Sequence, residues 1–354
     1  MSSAPELLTQ APDDSAAAAA SARASAWRTL AAVSLAAALT LVAADRALDR
    51  IAPVDQTLLQ AQHGVEEFAR GNPPVLVIGS SHARSFPAVR ARLREKTGEP
   101  LPMAIVPEEG GTFAAYNWVL QNLLRPLIEE TGPGGRPVRN RLREVMLITT
   151  YYDMCAEGDT TGVIAHGWTL GHFARDVRDH GITPQNRNYL RARWNELWSG
   201  SALVQDRGVG RIDTKIRWLL PGAAEHERRL AQKYRDQMEE QFATCNDPLQ
   251  QRRLEESLGY LKERGLQTTV VLFPLHPGLV TERSKQTTLK QYSAYIAGLQ
   301  PRYGMRVVDL TLGSPLRPEH FRKDLDHLTP EGNLRFAEWS LDHDLGYLID
   351  EVRP

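Results

Sequence analysis

Two short motifs far apart in the chain carry the residue types of nucleophilic catalysis. Ser80 and Ser81 follow a glycine, and an Asp-x-x-His sequence that runs from Asp324 to His327 lies close to the C-terminus. A serine hydroxyl is a poor nucleophile until an imidazole accepts its proton, and the imidazole needs a carboxylate to fix its tautomer. Together the two motifs therefore supply a nucleophile, a base and a group that orients the base.

The serines come directly after a short apolar run, which is typical of a buried strand in a parallel sheet. Further runs of this kind follow along the chain. The predicted strands are 75–78, 103–106, 145–148, 269–273 and 306–310. In such sheets ligands bind outside the carboxyl ends of the strands. The residues that follow each strand are therefore expected to line one cleft.

Helical patterns alternate with these strands. The predicted helices cover 47–72, about 82–96, 112–130, 248–265, 284–300 and 330–342. This alternation predicts an α/β fold, with a parallel sheet of about five strands and helices on both faces. The stretch 155–247 breaks the alternation and is interpreted as a helical insertion after the third strand. The main domain is thus expected to span 73–354, with 47–72 as a connector helix.

The strand followed by Gly-x-Ser, and the later Asp-x-x-His-Leu-x-Pro-x-Gly, resemble the SGNH (GDSL-like) hydrolase superfamily. The resemblance covers about residues 75–345 without the insertion. It implies a flavodoxin-like, three-layer sandwich. Gly-Ser-Ser in place of Gly-Asp-Ser is similar to membrane-anchored members that acylate or deacylate cell-envelope polymers.

By position, the resemblance implies that Ser81 is the nucleophile, His327 the base and Asp324 the orienting carboxylate. The implied function is a serine esterase or O-acyltransferase that acts on acyl esters of an envelope or extracellular polysaccharide, or on small esters. A multi-span acyltransferase is a candidate partner, and no metal or cofactor is expected. Ser80 and Asp326 are the nearest competitors for the roles of nucleophile and orienter.

The expected oxyanion hole departs from the superfamily pattern. The resemblance implies that the backbone N–H groups of Ser81 and Gly111 donate to the oxyanion. An asparagine commonly adds a donor after the third strand, but this chain has Thr150, Tyr151 and Tyr152 there. Tyr152 or Thr150 is the candidate replacement. The departure keeps open an alternative function, that of a catalytically weak or inactive binding and assembly protein of the envelope.

Three further residues are candidate substrate contacts. His82 and Arg84 follow the nucleophile, and His276 follows the fourth strand, where it should line the cleft. The competing interpretation for His82 and Arg84 is a solvated helix face.

The N-terminal region differs from the rest of the chain. Residues 1–26 are rich in Ser, Ala and Pro and are predicted to be a disordered tail. Leu30–Ala44 carries no charge, so 27–46 is predicted to be a transmembrane signal anchor. A cleaved signal peptide and a buried Ala-rich helix are the alternatives; the third function considered, a soluble intracellular esterase, goes with the buried helix. With an anchor, the N-terminus would lie inside and the catalytic domain would be extracytoplasmic.

Charge and cysteine content limit the function further. The formal net charge is −1, so no basic excess is available to follow a phosphate backbone and nucleic-acid binding is not expected. Cys155 and Cys245 are the two cysteines and bracket the insertion. They either pair, which an oxidising compartment would permit, or are unrelated thiols.

Overall fold

One parallel sheet of five strands organises the chain, as the sequence predicts. In the computed structural model the strands are β1 (Val75–Gly79), β2 (Met103–Pro107), β3 (Glu144–Thr149), β4 (Gln267–Leu272) and β5 (Arg306–Asp309). The structure describes residues 25–36, 39, 40, 43, 56–108, 112–132, 141–154, 170–182, 190, 232, 248–322 and 325–352. The chain divides into two units, Met1–Ala52 and Pro53–Pro354, and the sheet belongs to the second.

The strand order is β2-β1-β3-β4-β5, and every neighbouring pair is parallel. This is the flavodoxin-like order, in which the direction of winding reverses between β1 and β3. The predicted fold class is therefore confirmed. Parallel strands need long crossover connections, and the helices between the strands supply them.

Helices cover both faces of the sheet. They are α1 (Gln56–Gly71), α2 (Phe86–Thr97), α3 (Phe113–Val119), α4 (Arg125–Ile128), α5 (Leu170–His180), α6 (Pro248–Glu263), α7 (Glu282–Gln286), α8 (Thr288–Tyr303), α9 (Pro330–Asp342) and α10 (Tyr347–Val352). A π-helical turn, Leu120–Leu124, joins α3 to α4. The predicted helix over 112–130 is thus one helical run with a turn of different pitch inside it.

Alternate residues of each strand face opposite layers, because successive side chains on a strand point to opposite sides. Leu76 and Ile78 belong to a core shared with helices α1, α3, α6 and α8. Val75 and Val77 belong to a second core, shared with α2, α9 and α10. Both faces of β1 are therefore buried, which explains why the strand is apolar throughout.

The predicted transmembrane anchor at 27–46 is wrong. Among the described residues, no helix is both long enough and apolar enough to cross a bilayer.

Several predictions fall on residues that the structure does not describe. Within 155–247 the described residues are 170–182, 190 and 232, and α5 is the helix found there. Cys155 and Cys245 lie outside the described residues, as does the predicted tail except for residues 25 and 26.

Candidate active site

The carboxyl ends of β1 and β3 meet where the strand order reverses. Gly79, the last residue of β1, pairs with Ile148 of β3. A Cβ atom at position 79 would lie 2.5 Å from the carbonyl oxygen of Ile148, so the close approach of the two strands requires glycine. Ser80 therefore leaves the sheet beside the segment that follows β3.

A tight turn fixes the residues after β1. Residues Ser81–Ser85 form a 3-10 helix, and the carbonyl oxygen of Ser80 accepts a hydrogen bond of 2.9 Å from the N–H of Ala83. The side-chain oxygen of Ser80 caps this helix by accepting from the N–H of His82. The same Oγ lies 2.7 Å from Nδ1 of His82. Ser80 and His82 thus form one hydrogen-bonded unit at the start of the helix.

The second motif lies on a small closed loop. An isolated antiparallel bridge joins Phe321 to Leu328, and the carbonyl oxygen of His327 accepts from the N–H of Arg322 at 2.7 Å. Leu325 has a φ angle of 61°, in the left-handed region, where a side chain other than that of glycine costs about 1–2 kcal/mol. Because its side chain is buried, packing in the core offsets this strain.

The start of α9 explains the Thr-Pro-x-Gly part of the motif. The Thr329 side chain accepts a hydrogen bond of 3.0 Å from the N–H of Gly332 and caps the helix. Pro330 stands at the first helical position, where its missing N–H costs nothing. A Cβ atom at position 332 would overlap the backbone carbonyl group of His320. Glycine is therefore needed for the helix to approach the 3-10 turn, Pro318–His320, that leads into the loop.

His82 joins the serine turn to this loop. Its Nε2 atom lies 3.1 Å from Oδ1 of Asp326 and 3.3 Å from the backbone oxygen of the same residue. The ring is stacked on that of His327, with centroids 5.8 Å apart and planes inclined by 12°. His82 and Asp326 are separated by 244 positions in sequence. The fold therefore brings the two motifs of the sequence together.

Burial and charge act in opposite directions on His82. Burial alone lowers its pKa, because a buried imidazolium loses its hydration. The carboxylates of Asp326 and, more weakly, Asp153 favour the charged ring, and the net result is a raised pKa. Asp326 also stabilises the charged ring of His82 by a side-chain hydrogen bond. The nearby carboxylates therefore more than offset the effect of burial, and the protonated form of His82 is favoured.

A buried carboxylate lies on the β3 side of the same turn. Asp153 is only 3% exposed, and its Oδ2 accepts from the N–H of Thr150 at 2.8 Å and from the hydroxyl of Tyr116 at 3.0 Å. Burial raises the pKa of Asp153 to about 6, and hydrogen bonds from Thr149 and Thr150 together with the charge of His82 offset only part of this rise. Asp153 therefore titrates close to neutral pH.

Tyr116 connects Asp153 to Ser80. Its pKa is raised well above the ordinary value, first by burial and then by the negative charge of Asp153, while a side-chain hydrogen bond with Ser80 acts to lower it. The hydroxyl of Tyr116 donates to Asp153. The phenol therefore stays neutral and bridges the two groups.

The structure positions the predicted triad and oxyanion-hole residues as follows. Ser81 is the first residue of the 3-10 helix and is 6% exposed. His327 is half-buried beside His82. Asp324 and Gly111 lie outside the described residues, and for Tyr152 only the backbone is described. The assignment of Ser81, His327 and Asp324 to a triad therefore stays a prediction.

The other candidate contacts have structural partners. The Arg84 guanidinium donates to the side-chain oxygen of Gln60 in α1. Nδ1 of His276 accepts a hydrogen bond of 2.9 Å from the N–H of Gly278. The rings of His276 and Phe321 pack edge to face, with their centroids 5.0 Å apart. His276 thus packs against the base of the loop that carries His327.

Two buried polar residues of the site, Tyr116 and Asp153, are not predicted from the sequence. Tyr116 lies on a helix where an aromatic residue is normally part of the core. Asp153 follows β3 at the cleft edge, which was the available signal, but its sequence context does not reveal that its carboxylate is buried. The pairing of Ser80 with His82 also escapes sequence analysis, because it depends on the shape of the turn.

No protein-family model matches the chain, and no curated protein matches its sequence. Nine chains of solved structures match it. One of them is described as a "putative acylhydrolase" from Bacteroides fragilis, with 12% identity and a TM-score of 0.36. That match covers 81% of this chain and 97% of the other. The strand order and the parallel register establish the fold of this chain independently of the match.

Proposed function

We propose that the protein is a serine-dependent ester hydrolase or O-acyltransferase of the SGNH type. One observation carries the proposal. The Ser80–Ser81 turn and the loop that carries His327 are held together by the hydrogen bond of His82 to Asp326 and by the stack of His82 on His327. This arrangement supports the proposal, because the candidate serine nucleophile and the candidate imidazole base, distant in sequence, lie at one edge of the sheet.

In the proposed reaction, Ser81 Oγ attacks the acyl carbonyl carbon and His327 accepts the serine proton. Backbone N–H groups at the start of the 3-10 helix stabilise the oxyanion. The imidazolium then protonates the leaving alcohol, which leaves an acyl-serine. Water or an acceptor hydroxyl, deprotonated by His327, attacks this ester and releases the acid or the transferred ester.

The resemblance to envelope-polymer enzymes favours acyl esters of a polysaccharide as the substrate class. Both outcomes of the second step, hydrolysis and transfer, use the same residues. They differ in whether water or a sugar hydroxyl reaches the acyl-serine.

Ser80 is the competing nucleophile, and a specific observation favours it. The series Ser80–His82–Asp326 has the hydrogen-bonding order of a serine triad, with 2.7 Å and 3.1 Å between successive partners. Against it, the Ser80 hydroxyl is already held between His82 and Tyr116. Ser81 also occupies the Gly-x-Ser position of the superfamily pattern.

Fluorophosphonate labelling tests the proposal. The wild-type protein and the Ser80→Ala variant should form a covalent adduct, which mass spectrometry should locate at Ser81. The Ser81→Ala variant should form no adduct. Turnover of p-nitrophenyl acetate should follow the same order, with circular dichroism confirming that each variant is folded. An adduct at Ser80 would reassign the nucleophile. A wild-type protein that neither labels nor turns over the ester would favour the binding and assembly function.

A further inference from the structure

A buried row of polar side chains behind the serine turn is not used by the reaction proposed above. It runs from His82 through Ser80 and Tyr116 to Asp153. Nδ1 of His82 lies 2.7 Å from Ser80 Oγ, Ser80 hydrogen-bonds to Tyr116, and Tyr116 donates to Asp153 over 3.0 Å. All four residues are at most 5% exposed, so bulk water has little access to the row.

The two hydroxyl groups in the middle give the row two self-consistent arrangements, because a hydroxyl both donates and accepts. In the first, the His82 imidazolium donates from Nδ1 to Ser80, Ser80 donates to Tyr116, and Tyr116 donates to the Asp153 carboxylate. In the second, the protonated Asp153 donates to Tyr116, Tyr116 to Ser80, and Ser80 to the unprotonated Nδ1 of a neutral His82. Each arrangement satisfies every member of the row.

We propose that His82, Ser80, Tyr116 and Asp153 form an internal proton relay that lets His82 give up its positive charge when His327 gains one. This rests on the proposed function, since His327 becomes charged by taking the serine proton. The Nδ1–H bond of His82 breaks and an O–H bond of Ser80 forms. The former Ser80 proton passes to Tyr116 Oη, and the former Tyr116 proton passes to Asp153 Oδ2. No atom is gained or lost, and the opposite charges of His82 and Asp153 cancel.

The relay would prevent repulsion between two positively charged imidazole rings. The centroids of the His82 and His327 rings are 5.8 Å apart, and two positive charges at that distance in a buried site repel strongly. With the relay, His82 is neutral at the moment when His327 carries the proton. Nε2 of His82 keeps its bond to Asp326 throughout, so the ring does not have to move.

Other titratable groups lie near the row. Asp326 and His327 face His82 from the loop before α9, Glu108 lies near Tyr116 after β2, and Tyr292 of α8 lies near Asp153. Burial raises the pKa of Asp153 to about 6, and the pKa of His82 is raised as well. Both ends of the relay can therefore hold the proton that they share.

Tyr116→Phe tests the relay, with Tyr292→Phe as its matched control. Both changes remove one buried hydroxyl near Asp153, but the Tyr292 hydroxyl bonds to Thr149 at 2.8 Å and lies outside the row. For an ester substrate, we expect Tyr116→Phe to lower kcat by about tenfold, with KM within about twofold of wild type. We expect Tyr292→Phe to leave both constants within about twofold.

Asp153→Asn provides a second variant that preserves the hydrogen-bond acceptor and the volume of the side chain. The relay predicts that it too lowers kcat rather than raising KM, and that the pH dependence of kcat changes below pH 7. If both Tyr116→Phe and Asp153→Asn match the Tyr292→Phe control from pH 5 to 9, the relay is overturned.

A measurement that needs no activity separates the relay from the proposed function. The ¹⁵N chemical shifts of His82 report which ring nitrogen is protonated. The relay requires that neutral His82 carry its proton on Nε2, so that Nδ1 can accept from Ser80. A neutral ring protonated on Nδ1 would overturn the relay even if Ser81 is the nucleophile. Conversely, if fluorophosphonate does not label Ser81 in the wild-type protein, the proposed function with Ser81 as nucleophile is overturned. The ¹⁵N result would still report the protonation of His82.

Discussion

The imidazole ring of His82 lies parallel to that of His327, 5.8 Å away, although one ring follows β1 and the other precedes α9. Nε2 of His82 reaches Asp326, the residue next to His327 in the chain. His82 of the serine turn thus helps to hold His327, the candidate base, through its bond to Asp326. Changes on either side of this contact are expected to affect the same step.

Replacement of His327 by alanine should abolish turnover while leaving the protein folded. If His327 accepts the serine proton, kcat/KM for p-nitrophenyl acetate should fall by about 10³-fold or more. His343→Ala is the matched control, because His343 is exposed and bonds to the backbone oxygen of Trp339 on α9. Activity in His327→Ala that equals this control would exclude His327 as the base.

Two aspartates near His327 are expected to differ in effect. Asp324→Asn should lower kcat by about 10²-fold, because an orienting carboxylate is lost but the base remains. Asp326→Asn should cost less than about tenfold, since an amide oxygen can still accept from Nε2 of His82. Steady-state kinetics of both variants checks the order. If Asp326→Asn is the more harmful change, then Asp326, not Asp324, orients the base.

The folding stability should depend on pH through Asp153. Its pKa is about 6 in the folded protein against an ordinary value of 3.8, so the folded state binds more protons between these values. The free energy of unfolding should therefore be highest below about pH 4 and should fall as the pH rises through about 6, by at most about 3 kcal/mol. His82, whose pKa is also raised, contributes with the same sign around its own titration.

Urea unfolding of the wild-type protein and of Asp153→Asn at pH 4, 5, 6 and 7 measures this dependence. Asparagine does not titrate, so the difference in unfolding free energy between the two proteins should change across this range. A constant difference would show that folding does not raise the pKa of Asp153.

Gly332→Ala should damage both stability and activity. The added methyl group meets the backbone carbonyl of His320, which cannot move aside as a side chain can. We expect a loss of about 2 kcal/mol or more in the free energy of unfolding. The loop that carries His327 should shift, so kcat should fall as well.

Gly298→Ala is the control for this change. Gly298 lies within α8, and a Cβ atom there would meet nothing within 4 Å. Alanine in an open helical position should stabilise the protein by about 0.5–1 kcal/mol. Thermal unfolding of both variants would contradict this interpretation if the two changes had similar effects.

The fold was predictable because every strand contains a short apolar run, and β1 and β3 are buried along their whole length. The apolar runs alone do not state which strands pair, and the expected flavodoxin-like order came from the superfamily resemblance. Gly79 and Gly332 mark two places where backbones approach closely, and both belong to the motifs that the sequence analysis identifies. Sequence patterns identify such positions well because no other residue fits there.

The electrostatics of the site were beyond sequence reasoning. His82 was expected as a substrate contact, but its two nitrogens face Ser80 and Asp326. Asp153 and Tyr116 matter because both are buried at the reversal of strand order, which is a property of the folded sheet. The anchor at 27–46 was predicted from an uncharged, alanine-rich run, and lack of charge alone does not supply a helix that can span a bilayer.

The separation of 244 positions between His82 and Asp326 has a consequence for biosynthesis. A ribosome adds about 5–20 residues per second, so the serine turn is made well before its partner exists. Closing so large a loop carries a substantial entropic cost, which the contacts of His82 with Asp326 and His327 help to offset. A nascent chain that has not yet released α9 therefore has the nucleophile without the base. Under the proposed function, the growing polypeptide is expected to have no esterase activity until the loop that carries His327 has left the ribosome.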